Sequence, residues 1–116
     1  MRLHINSPVD EDLLFRALAD PARRTLLDRL REAPGQALGS LIEGLPMSRQ
    51  AASKHLAVLE AANLVAVVRR GREKLHYLNP VPIQQIAARW IGAFERERVA
   101  ALVDLKARLE GEDGQA

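Results

Sequence analysis

No cysteine occurs in the 116 residues, which removes disulfides, thiolate metal sites and thiol redox sensing at once. Aromatic side chains are almost as scarce, at 3% against 47% hydrophobic residues overall. Any core must therefore be built from Leu, Ile, Val and Ala, a composition that suits helices better than a large sandwich. No segment reaches the roughly 18 consecutive apolar residues needed to span a bilayer, and the N-terminus lacks a long apolar run. A cytoplasmic protein without a membrane partner is expected. No Ser, His and acid set and no convergent carboxylate pair stands near a Gly-rich loop, so nothing points to an enzyme.

The length suits one modest core and is short for two ordinary domains. We expect a loose N-terminal arm over residues 1–9, a single domain over 10–110 and a disordered acidic tail over 111–116. A formal net charge of +2 says little by itself; its distribution says more. Between Ser48 and Asn79 the cations Arg49, Lys54, Arg69, Arg70, Arg72 and Lys74 face only Glu60 and Glu73. That excess points to an anionic partner.

Helical punctuation is clear along the chain. Asp10 to Ala19 reads as an amphipathic helix with acids in its first turn, and Asp20-Pro21 caps and starts a second helix that Pro34-Gly35 ends. Leu38 to Leu45 is expected as a short helix closed by Gly44 and Pro46, after which Ser48 caps a longer one. On a wheel of 3.6 residues per turn, Ala52, Leu56 and Leu59 share one face of that longer helix, while Gln50, Ser53, Lys54 and Ala57 share the opposite face. A helix entering a major groove needs such short or hydrogen-bonding side chains outward. Leu64–Val68 and Lys74–Leu78 then read as two strands around a turn at Arg69–Arg72.

The resulting fold class is mainly α with a small β-hairpin: a winged helix-turn-helix. From Ile83 a helical period returns, with Ile83, Ile86, Trp90 and Phe94 continued by Leu102, Leu105 and Leu109, and with Arg98 interrupting. This apolar stripe outruns the small core. Its natural cover is the same helix of a second copy together with the first helix, so a homodimer is expected through Leu13, Leu14, Leu18, Ile86, Trp90, Phe94, Leu102 and Leu105.

The run LFRALADPARRTLLDRL from Leu14, and SRQAASKHLAVLEAANLVAVVRRGREKLHYLNP from Ser48 to Pro80, resemble the ArsR family of bacterial winged-helix repressors. The likeness extends from Leu14 to about Pro80. It implies a dimeric transcriptional regulator, usually a repressor released by a ligand, with Ser48, Gln50, Ser53 and His55 near DNA. Metal-sensing members carry a cysteine pair on the short helix before the recognition helix, where this chain has LGSLIEGL. Others use acids and His on the last helix, yet Ile83 to Glu110 contains no His. His4, His55 and His76 are scattered, whereas a tetrahedral zinc site needs about four converging ligands. No metal or other cofactor is expected. Trp90 and Phe94 with Glu95, Arg96, Glu97 and Arg98 resemble the cysteine-free branch, whose likeness names no inducer, so any small-molecule inducer is unidentified.

The candidate contacts to double-stranded DNA are Ser48, Arg49, Gln50, Ser53, Lys54 and His55 on the helix and Arg69, Arg70, Arg72 and Lys74 on the hairpin. Gln50 and Ser53 suit base edges, Lys54 suits phosphate, and Arg49 can read guanine or clamp a phosphate. His55 is either a phosphate contact or a boundary residue bonded to a neighbour. The hairpin cations fit backbone or minor-groove contact, or protect an exposed edge. Arg23 and Arg24 sit at a helix start, where the dipole disfavours cations; a salt bridge of Arg24 with Asp28 would account for the latter. The competing reading is a winged-helix protein-interaction module. It is disfavoured by the lack of aromatic anchors on the outward face of residues 48–57.

Overall fold

The computed structural model describes residues 10 to 114, with side chains as far as residue 111; the expected N-terminal arm lies outside them. The chain divides into two compact units, one up to Ile83 and one from Gln84. The elements are α1 (Glu11–Ala19), α2 (Pro21–Glu32), α3 (Leu38–Leu41), α4 (Arg49–Ala61), β1 (Val65–Arg70), β2 (Glu73–Leu78) and α5 (Val81–Gly114).

Local chemistry sets most of these boundaries. The Asp10 carboxylate accepts from Leu13 N, and the Asp20 carboxylate accepts from Ala22 N ahead of Pro21 at the helix start. Helix α4 ends in a Schellman arrangement: Leu64 N donates to Leu59 O, and Asn63 N donates to Glu60 O. Asn63 takes the left-handed conformation this demands, with φ of 60°, a shape that Asn tolerates better than most side chains. Leu59 and Leu64 are both fully buried beside it. The short helix differs from expectation. It spans four residues and then gives way to a turn in which Gly44 has φ of 77°, since Gly44 and Pro46 leave too little uninterrupted sequence for another helical turn.

Strands β1 and β2 pair antiparallel with Val65 opposite Leu78 and Arg70 opposite Glu73. They leave Gly71 and Arg72 as a two-residue loop, and Gly71 supplies the positive φ of 64° that such loops favour. A bridge from Gln36 to His76 adds a third segment to this hairpin. Gly35 N donates to His76 O, His76 N donates to Gln36 O, and the His76 ring Nδ1 donates to that same Gln36 carbonyl at 2.8 Å. The hairpin is thereby fastened to the end of α2.

The core of the first unit is aliphatic, as the composition required. Leu14, Leu26, Leu30, Leu41, Leu59 and Leu64 are its largest fully buried side chains, each stabilising by about 1.5–3 kcal/mol through removal from water. Asn79 fixes the entry to α5: its side chain donates to Asn63 O and accepts from Val81 N. In the second unit the helix runs through Gly114, beyond the Gly111 from which a tail was expected. Its side chains Trp90, Ile91, Phe94, Val99, Leu102, Val103, Leu105 and Leu109 are all more than half exposed.

Candidate nucleic-acid interface

Helix α4 presents the two faces that its sequence pattern implies. Ala52, Leu56 and Leu59 are buried, while Gln50, Ser53, Lys54 and Ala57 are exposed. The face is set from the helix start: Ser48 Oγ accepts from Ala51 N at 3.0 Å as the cap, which leaves its proton and a second lone pair. Arg49 follows in the first turn with its guanidinium over α3; a Cβ placed on Gly39 would come within 3.3 Å of Arg49 Nη1.

The hairpin sorts its cations by register. Residues directly opposite in an antiparallel pair share a face, so Arg69 stands with Lys74, and Arg70 stands with Glu73 on the other face. Two like charges directly opposite destabilise a hairpin unless an anion lies between them. Arg70, by contrast, faces a carboxylate. A cleft of about 430 Å³ joins the helix to the hairpin and is lined by Ser40, Arg49, Ser53, Arg72, Glu73 and Lys74 among others. The structure thus brings Arg49, Ser53, Arg72 and Lys74 round one opening. Gln50, Lys54, Arg69 and Arg70 are exposed outside that lining.

His55 belongs to a different neighbourhood. Arg23 Nη1 lies 3.5 Å from His55 Nδ1. The same guanidinium donates from Nε to Ala17 O and from Nη2 to Arg16 O, both at 2.8 Å, and lies 3.7 Å from the Asp20 carboxylate. The hydrogen bond from Ala22 N holds the Asp20 carboxyl below the ordinary aspartate value, against the opposing pull of partial burial, with Arg23 and His55 adding to the lowering.

Three arginines missed as structural residues frame this face. Arg23 and Arg24 were weighed as phosphate or salt-bridge residues at the start of α2; they cap the end of α1 instead. Arg24 Nη1 donates to Leu18 O at 2.5 Å, so the expected bridge to Asp28 is replaced by a carbonyl that carries the negative end of the α1 dipole. Arg29 reaches from α2 to the end of α3 and donates to Leu41 O at 3.1 Å and Glu43 O at 2.6 Å. No local sequence signal marks such long-range capping.

Of the expected interface residues, Leu14 and Ile86 are already buried in the single chain, and Leu13 and Leu18 are half-buried. Trp90, Phe94, Leu102 and Leu105 are 51–59% exposed. Among the described residues no three His, Asp or Glu converge in a way that could hold a metal ion, and no helix is long and apolar enough to cross a membrane.

Residues 18–68 match a family described as a helix-turn-helix domain. The chain is similar to the HTH-type transcriptional regulator YuzN of Bacillus subtilis, at 36% identity over 71% of this chain and 96% of that protein. The transcriptional repressor SdpR of the same organism is 32% identical over 61% of this chain and 78% of its own length. Among solved structures, an ArsR-like transcriptional regulator from Rhodococcus sp. RHA1 superposes with a TM-score of 0.64. It is 38% identical and covers 78% of this chain and 87% of that one.

Proposed function

Because the chain belongs to the ArsR-like family of helix-turn-helix, DNA-binding transcriptional regulators, we propose that it acts in the cytoplasm as a homodimeric repressor of a short inverted-repeat operator. It works by occupying DNA and not by catalysing a reaction. The observation that carries this reading is the single cleft that Arg49 and Ser53 of α4 share with Arg72 and Lys74 of the hairpin, beside the exposed Gln50 and Lys54. In this reading Gln50 and Ser53 contact base edges, and Arg49 takes a guanine or a phosphate. Lys54, Arg69, Arg72 and Lys74 take phosphates, which position the duplex without reading it. Arg70 has the weaker claim because Glu73 stands opposite.

The second copy follows from α5. A soluble monomer rarely leaves a contiguous apolar stripe such as Trp90, Phe94, Leu102 and Leu105 in water. A two-fold partner covers it and sets two α4 helices into successive major grooves about 34–36 Å apart. The repressor assignment is supported by SdpR, which carries that name. Release by a small-molecule inducer would complete the cycle. The test is a gel-shift titration against fragments of the source genome at several salt concentrations. One fragment should be preferred, with affinity falling steeply as salt rises; binding without any preferred fragment would assign the surface to protein partners instead.

A further inference from the structure

We propose that a second cleft, of about 350 Å³, is a binding site for a small amphipathic organic monoanion of the medium-chain carboxylate class. It is lined by the end of α1, one face of α2, the end of β2 and the first turn of α5, and it shares no residue with the cleft beside α4. Its floor is aliphatic: Leu18, Leu27, Leu78 and Ile83. Leu27 is 7% exposed and Ile83 39%, so the apolar lining runs from the core to the surface. The volume falls within the range of small-molecule sites.

The rim specifies the head group. Arg24, Asp28 and Arg31 follow one another along a single face of α2 at spacings of four and three residues, giving two cations against one anion. A guanidinium fork matches a carboxylate in shape as well as charge. Arg24 spends one of its five N–H donors on Leu18 O, which leaves the others available and holds the group at the rim. Asp28 between the two arginines opposes a doubly charged phosphate, so a single negative charge fits best. The competing occupant is the apolar helix face of a second copy, which the oligomeric state of an Ile83 variant distinguishes from a small anion. The site is independent of the operator reading, since ligand binding is measured on the protein without DNA.

Isothermal titration of the full chain with hexanoate, octanoate and decanoate, and with octanol and octylamine as comparators, tests the assignment. Each added methylene should tighten carboxylate binding about threefold to fourfold until the cleft is filled, and octanol and octylamine should bind at least about tenfold more weakly than octanoate. Arg31→Gln should weaken octanoate several-fold and Asp28→Asn should tighten it. Ile83→Trp, at a position open enough to keep the fold, should abolish binding while circular dichroism stays unchanged. Equal binding of octanoate and octanol, or indifference to Arg31→Gln and Asp28→Asn together, would overturn the proposal. Conversion of a dimer to a monomer by Ile83→Trp would also overturn it, by assigning the cleft to a second copy.

Discussion

Gln50 and Lys74 both reach solvent from the proposed DNA face, yet they are expected to do different work. Replacing Gln50 with Ala should remove about 1–3 kcal/mol of discrimination at one base pair; competition binding against single-base operator variants reads this as relaxed preference at that position alone. Lys74→Ala should weaken all duplexes alike and reduce the salt slope by about one unit. Arg70→Ala should do less, because Glu73 already stands opposite it; an equal or larger loss would refute the sorting of hairpin cations by register. Asp20 contributes in another way. Its folded-state carboxyl is held below the ordinary aspartate value, so the stability it supplies is present above that value and is lost as pH falls through the lowered one. Asp20→Asn should therefore flatten the acid limb of a plot of thermal stability against pH, and an unchanged limb would remove Asp20 from the account.

Elements whose ends carry their own chemistry were legible, and elements fixed from elsewhere were not. Asp10, Asp20 and Ser48 announce three helix starts as N-caps, and alternating burial of Ala52, Leu56 and Leu59 follows from helical period alone. The extent of α3 was not legible, because its last carbonyls are held by Arg29 from another helix. The bridge joining Gln36 to His76 is likewise invisible to a local pattern, since it links positions 40 residues apart. Removing Arg29 as Arg29→Ala should cost about 1–3 kcal/mol through the loss of charged hydrogen bonds; chemical denaturation measures it, and DNA affinity should fall with it as the turn before α4 loosens. Gly35 carries a parallel constraint. It has φ of 80°, and a Cβ there would lie 2.9 Å from Tyr77 Oη, so Gly35→Ala should lower the melting temperature by both strain and collision.

At the scale of the whole molecule, the small aliphatic core and the long exposed stripe of α5 are two halves of one requirement. The first unit has enough buried leucine to hold the reading helix in place, while the second offers apolar surface with no cover of its own. Composition and period pointed to the stripe. They also pointed to Leu14 as an interface residue, whereas the protomer's own core takes it, because an apolar helix face seen in sequence does not say which of several neighbours it meets. Placing a charge in the stripe, as Phe94→Asp, should shift the sedimentation coefficient toward that of a single chain. It should also lower operator affinity by well over tenfold, since only a pair engages both half-sites at once.

The most direct measurement is recovery of preferred sequences from a random duplex pool by the full-length protein, followed by alignment of the enriched set. Two copies of α4 presented on a dyad should recover an inverted repeat whose half-site centres lie about one helical turn apart, near 10 base pairs. An enriched set without dyad symmetry, or no enrichment at low ionic strength, would contradict the paired reading of DNA by α4 and its wing.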